Sequence, residues 1–183
     1  MKNKAYHLNN FTFNQSDVVM LDANIWLYLF PAPSNSQNYF IKQYSAAFKH
    51  LQTAKVTIVI NAIILSEYLN RYCWIEWEAL HKANYPNFKN FRQSNNYCSV
   101  GRRAVADAKT ILKFCCKKND DFSNSDVVLL LNDFESGNVD FNDGLITESC
   151  RLNGWKLITN DSDFTKGGIE VLTTNPRLIA NCI

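Results

Sequence analysis

The 183-residue chain contains no apolar run approaching the roughly 20 residues a helix needs to span a bilayer. Its most continuous run, Val56 to Leu65, is broken by Asn61. A secretory signal is also lacking, because Lys2 and Lys4 are followed by Asn9, Asn10, Asn14, Gln15, Ser16 and Asp17 in place of an apolar stretch. The expectation is a cytoplasmic protein that makes no use of a membrane. None of the six cysteines, Cys73, Cys98, Cys115, Cys116, Cys150 and Cys182, stands in a C-x-x-C pair, so free thiols are expected in place of disulfides. The three histidines, His7, His50 and His81, are scattered and lie at no ligand spacing from a cysteine pair, which leaves zinc little support. No glycine belongs to a G-x-G-x-x-G or P-loop cradle, and no serine sits in a G-x-S-x-G elbow.

What is present is the composition of an ordinary globular protein. With 46% hydrophobic and 20% charged residues, a chain of this length can bury its own core as one domain. The formal charge of +2 decides nothing about nucleic acid, because binding depends on where charge sits and not on its sum.

Hydrophobic patterning predicts strands at Asp17–Leu21, Val56–Ile60, Trp155–Thr159 and Ile169–Leu172, each a short apolar run. Helices are predicted from Asn38 to Lys55, Asn61 to Ala83, Ser99 to Lys118, Ser125 to Ser136 and from Asn142 or Asp143 to Asn153, where Gly154 is a natural stop. Pro31 to Gln37 and Asn84 to Asn96 read as loops, and Gly137 with Asn138 as punctuation. Strands separated by helical stretches favour a parallel sheet covered on both faces.

Ligands of such a sheet gather beyond the carboxyl ends of its strands. Asp22 closes the first predicted strand, Asp161 follows the third, Asp143 opens the helix before it, and Glu67 lies early in the helix after the second. Like charges brought together raise one another's pKa and lose hydration, a cost that a hard divalent cation removes. Carboxylates without histidine or cysteine suit Mg²⁺ or Mn²⁺, which can activate water beside a phosphate. Each acid also has an ordinary reading: Asp22 and Asp161 as turn residues, Asp143 as a helix-start acid, Glu67 as a solvated helix residue. Only the joint pattern favours a site.

The residues that carry this pattern resemble the PIN-domain family. The matching segments are Asp22-Ala-Asn24 after an apolar strand, Ser66-Glu67-Tyr68, Asn142-Asp143-Gly-Leu-Ile146, and Leu157-Ile-Thr-Asn-Asp-Ser-Asp-Phe164. Together they extend from about Val18 to Leu172, and the last is the most specific. The resemblance implies a Rossmann-like three-layer α/β/α sandwich around a mostly parallel sheet. It implies a Mg²⁺- or Mn²⁺-dependent ribonuclease whose metal-binding acids are Asp22, Glu67, Asp143 and Asp161. Asp163 matches a peripheral acid, Asn24 and Thr159 match polar neighbours that orient the acids, and Asp140 has no firm counterpart. A frequent role as the toxin of a bacterial toxin–antitoxin pair, inhibited by an antitoxin protein and often a homodimer, is implied as well. Residues 1–183 are then one PIN-like domain with an N-terminal leader, 1–16, and an aromatic-rich helical insertion at about 75–124, both departures from compact toxins.

Other acidic α/β pockets fit less well. A receiver-type or haloacid-dehalogenase-type site also places Asp after the first strand, but Asp22-Ala-Asn24 lacks a second Asp two residues on. The alternative from another class is a non-catalytic PIN-like module that holds RNA or a protein. One further pattern concerns RNA: at about 100° per residue, Arg102, Lys109, Lys113 and Lys117 share one stripe of the helix predicted over Ser99–Lys118. It reads either as an RNA-binding ridge or as a solvated helix face.

Overall fold

All the strands of the sheet run in one direction, so their carboxyl ends meet on one edge. The computed structural model describes residues 1–35, 38–137 and 139–182. Its strands are β1 (Lys4–His7), β2 (Val18–Leu21), β3 (Thr57–Ile60), β4 (Cys116–Lys117), β5 (Lys156–Ile158) and β6 (Glu170–Thr173). The helices are α1 (Ala23–Leu29), α2 (Asn38–Thr53), α3 (Ala62–Glu76), α4 (Phe88–Arg92), α5 (Asn95–Phe114), α6 (Val127–Glu135), α7 (Phe141–Asn153) and α8 (Pro176–Cys182). The sheet order is β1-β6-β5-β2-β3-β4. After β2 the chain winds outward through β3 and β4, then crosses to β5 on the other side of β2. The β2/β5 boundary is therefore the switch point, where a ligand crevice opens in such sheets. This is the expected three-layer α/β/α architecture, with the sheet parallel throughout.

The central strands are apolar because both their faces are covered. Val19, Met20, Leu21, Val59, Leu157, Ile158, Val171 and Leu172 all lie in the core. The edge strands have another basis. In β1 no residue is fully buried, and the strand is held by its ladder to β6, Lys4 opposite Glu170 through His7 opposite Thr173. It falls within the stretch read above as a leader.

Helix limits differ from the periodic reading at α3, α4 and α5. The helix opening at Ser99 in that reading begins at Asn95, capped by the Ser94 hydroxyl accepting from Tyr97 N, and ends at Phe114. Cys116 and Lys117 instead pair with Val59 and Ile60 as β4, and Lys118 N donates to Ile60 O at 2.9 Å. Sheet pairing outweighs the weak helical preference of the last turn. Lys117 thus leaves the predicted stripe, while Arg102, Lys109 and Lys113 remain exposed on α5. The helix expected to run to Ala83 ends as α3 at Glu76 and continues as a π-helical turn, Trp77–His81. Helix α4 interrupts the predicted loop 84–96. Of the other predicted punctuation, Ser36, Gln37 and Asn138 lie outside the described residues. Gly154 ends α7 with φ +66° and its N–H on Cys150 O, the left-handed stop that glycine tolerates best.

An ion pair between buried Glu76 and half-exposed Arg103 fastens α3 to α5. Glu76 is fully buried, accepts from Ser34 N at 2.8 Å and from Arg103 Nη2 at 3.2 Å, and so ties the segment after α1 to both helices. Its bonds are what make a buried carboxylate tolerable.

Candidate active site

The crevice at the β2/β5 boundary is built around Asp22, which leaves β2 and caps α1. Its Oδ1 accepts from Ala23 N at 2.6 Å, and its Oδ2 accepts from Asn24 Nδ2 and Thr159 Oγ1, each at 2.6 Å. A carboxylate has about four acceptor positions, so one remains open, on Oδ1. Thr159 follows β5 and also accepts from Asp161 N at 3.0 Å, coupling the two acidic segments through one hydroxyl. Asn24 closes the network by accepting from Asn160 N at 3.2 Å through Oδ1. The orienting positions read from the sequence, Asn24 and Thr159, thus touch Asp22 directly.

Beneath this network, Tyr44 donates to Asn160 Oδ1 at 2.9 Å, and Asn160 Nδ2 donates to Tyr28 Oη at 3.3 Å. The two tyrosine rings stack with centroids 5.4 Å apart. Burial pushes both phenols up, Asp22 adding to the effect, so they stay neutral hydrogen-bonding groups that fix the loop after β5.

Electrostatics shows which acids share the crevice. Burial lifts Asp22 from 3.8 to about 6, against the pull of its three hydrogen bonds, with Asp161 adding repulsion. Asp143 rises from 3.8 to about 8, first by desolvation and then by the charges of Asp22, Asp161, Asp140 and Glu67. Its place in the first turn of α7, where the helix dipole favours an anion, does not offset that crowd. Glu67 rises to about 7 through desolvation, then Asp22, Asp140 and Asp161, with the Arg71 cation opposing. Glu67 lies on the exposed rim of the crevice, where water screens part of this repulsion. All four acids read from the sequence therefore lie within one another's field.

Two other acids lie close by. Asp163 is exposed and is not among the charges felt most strongly at Asp22, Glu67 or Asp143; its N–H donates to Asp161 Oδ1 at 3.0 Å. Asp140, without a counterpart above, acts on both Glu67 and Asp143 from the N-cap of α7, where it accepts from Asn142 N at 2.9 Å. Its spacing of three from Asp143 on a helix start was the available signal.

The donor set is one for a hard cation. Only oxygen is offered, and like charges share a partly desolvated crevice. Among the described residues no three acids, histidines or cysteines form a ready-made metal cage. An open set of this kind fits Mg²⁺ or Mn²⁺ nonetheless, since Mg²⁺ usually keeps several waters and takes one or two carboxylates together with substrate phosphate.

The fold and site define the class of Rossmann-like α/β/α proteins that carry acids at the sheet's switch point. The profile of the PIN domain matches residues 19–170, and the chain belongs to the PIN-domain family. PIN domains are generally nucleases and typically use divalent metals. No curated protein matches the chain. No helix among the described residues is long and apolar enough to cross a membrane.

Proposed function

We propose that the chain is a cytoplasmic, Mg²⁺- or Mn²⁺-dependent endoribonuclease that hydrolyses RNA phosphodiester bonds. The observation that carries this reading is the mutual field of Asp22, Glu67, Asp143 and Asp161, contributed by four separate segments. These acids would hold the cation, with Asp163 peripheral. A cation bound there supplies a water of lowered pKa and neutralises charge on the phosphate being cleaved. The protein's own part is positioning. Asn24 and Thr159 fix the Asp22 carboxylate in one orientation, and the Asp161 backbone is tied to the same hydroxyl. Six free thiols accord with a reducing compartment.

The test is incubation of a labelled single-stranded RNA with the protein and Mn²⁺. Shortened products that vanish with chelator are expected. RNA that is bound but intact at every metal concentration would make the chain a non-catalytic RNA-binding module instead.

Thr159→Val keeps the side-chain shape and removes the bond to Asp22. Turnover at limiting Mn²⁺ is expected to fall roughly 10- to 100-fold, largely regained at high metal. A half-saturating Mn²⁺ concentration equal to wild type would limit Thr159 to shaping its turn.

RNA also needs cationic contacts to offset the acids. Arg102, Lys109 and Lys113 on the exposed side of α5, with Lys117 nearby in sequence on β4, are proposed to hold the phosphate backbone. Changing Arg102, Lys109 and Lys113 together to Ala should make the slope of log affinity against log salt shallower by roughly 2, at about 0.7 per contact. An unchanged slope in a folded variant would return the stripe to an ordinary solvated face.

In its narrower form the proposal makes the chain, a single domain over residues 1–183, a toxin with an antitoxin partner and a homodimeric assembly. The family resemblance supports this. So does the face of α6, where Val128, Leu129, Leu131 and Phe134 are each more than half exposed, an uncommon apolar surface for an unpartnered helix.

A further inference from the structure

A groove of about 600 Å³ leads away from the acids along α3. Its lining on α3 begins at Ala62, passes Glu67 and ends at Trp74, which stands two turns beyond Glu67, about 10 Å along the helix, with Asn70 and Arg71 between them. Phe88 of α4 and Asn142 at the start of α7 complete the walls. Among the described residues Glu67 is the only acid in the lining.

Trp74 is unusual among the large aromatic residues near it. Trp77 and Phe91 are buried and fill the interior of the insertion, whereas Trp74 keeps 37% of its surface in solvent while lining the groove. The ring is braced and not loose: Trp77 meets it edge-on with centroids 4.7 Å apart, and Phe88 lies tilted at 5.4 Å. A rigid, partly exposed indole has little side-chain entropy left to lose when a flat ring stacks on it. Asn70, Asn142 and Ser66 bring amide and hydroxyl groups suited to base edges. Arg71 is in no salt bridge among the described residues and lines a second groove together with Asn24 and Tyr28, so it borders the acid crevice as well. A guanidinium in that position matches the phosphate between a stacked base and the reacting centre.

We propose that this groove is a subsite for an unpaired nucleobase of the RNA strand, stacked against Trp74 and Phe88, with its flanking phosphate on Arg71. The proposal rests on the ribonuclease reading and narrows it: the substrate is single-stranded next to the cleaved bond, because a paired base cannot leave its stack without cost. The insertion at about 75–124 supplies Phe88 and Trp77, which brace Trp74 on α3.

The test uses the full chain. In an Asp143→Asn background, which keeps the RNA intact, binding of a fluorescent single-stranded oligoadenylate is compared with binding after adding Trp74→Ala. Affinity is expected to drop roughly 5- to 100-fold, with Trp74→Phe retaining most of it and binding of a blunt RNA duplex unaffected. In the otherwise wild-type protein with Mn²⁺, Trp74→Ala should raise KM for the single strand by a similar factor and leave kcat close to wild type. Asn70→Leu, at an exposed lining position one turn before Trp74, removes the amide without touching a core side chain and should also weaken single-strand binding, which covers the case in which Trp74→Ala fails to fold. Two results keep the subsite apart from the enzyme reading. RNA cleaved with unchanged KM by both folded variants removes the subsite and leaves the nuclease. Oligoadenylate bound through Trp74 but never cleaved with any divalent metal keeps the subsite and removes the nuclease. Absence of single-strand binding by the parent protein overturns the subsite.

Discussion

Replacing Asp143 by Asn is expected to lower RNA cleavage by roughly a thousandfold while the protein stays folded, with metal-free stability equal to or above wild type. The loss follows from removing one charge from a site whose task is electrostatic, where deletion of a single preorganised group commonly costs two to three orders of magnitude. The retained stability follows from the same crowd. Asp143 is raised to about 8 by desolvation and by Asp22, Asp161, Asp140 and Glu67, so its ionised form opposes folding when no cation is bound. A neutral amide of the same size removes that opposition. Cleavage of a labelled single strand and a denaturant melt of the two proteins are the measurements. Wild-type turnover by the variant would remove Asp143 from the site, and a large loss of stability would make it a structural residue of α7.

Metal-free wild type is expected to be less stable at pH 8 than at pH 5. In the folded state Asp22 titrates near 6, Glu67 near 7 and Asp143 near 8, against ordinary values of 3.8, 4.5 and 3.8. Between about pH 4 and pH 8 the folded protein therefore binds more protons than the unfolded chain, so the unfolding free energy falls as pH rises. The contribution is complete below the unfolded values and lost once pH passes the folded ones. Buried Asp22 alone accounts for at most about 3 kcal/mol, and the more exposed acids add less than their shifts suggest. A decline in Tm of roughly 5–10 °C is expected across that range. Asp143→Asn should flatten the profile. Millimolar Mn²⁺ should restore most of the loss at pH 8, since a ligand bound only by the folded state adds about 2.7 kcal/mol at a hundredfold excess over its Kd. A profile that is flat, or that rises toward pH 8 without metal, would mean the acids do not oppose one another.

The parts of this architecture that were legible in the sequence are those whose pattern is local. Strands β2, β3, β5 and β6 are apolar because a parallel sheet covers both their faces, and the acids sit where those strands end. Strand β1 left no apolar trace, since no residue of Lys4–His7 is fully buried and its ladder to β6 is a backbone property. Helix α1 was hidden for the opposite reason: Ala23, Ile25, Trp26, Leu27 and Tyr28 are all buried, so no polar face marks the helical period. The two-residue β4 depends on its pairing with Val59 and Ile60, which the run from Ser99 to Lys118 does not announce.

The same distinction holds at the candidate site. Asp22, Asn24 and Thr159 stand beside strand ends, where the sequence reading placed them, and they are joined by hydrogen bonds. Asp140 had no firm counterpart in the family pattern, and only the start of α7 at Phe141 makes it the N-cap whose charge acts on Glu67 and Asp143. Arg71 and Trp74 are unmarked residues within the helix predicted from Asn61 to Ala83, and only the approach of α4 and α7 turns that side of the helix into a groove.

The central claim, that these carboxylates together hold a divalent cation, is tested most directly by titrating Mn²⁺ into the RNA-free protein and counting bound metal by its electron paramagnetic resonance signal. The account predicts saturable binding in wild type, weakened at least tenfold by Asp22→Asn and by Asp143→Asn, and unchanged by Asp163→Asn. Equal Mn²⁺ binding by wild type, Asp22→Asn and Asp143→Asn would contradict it.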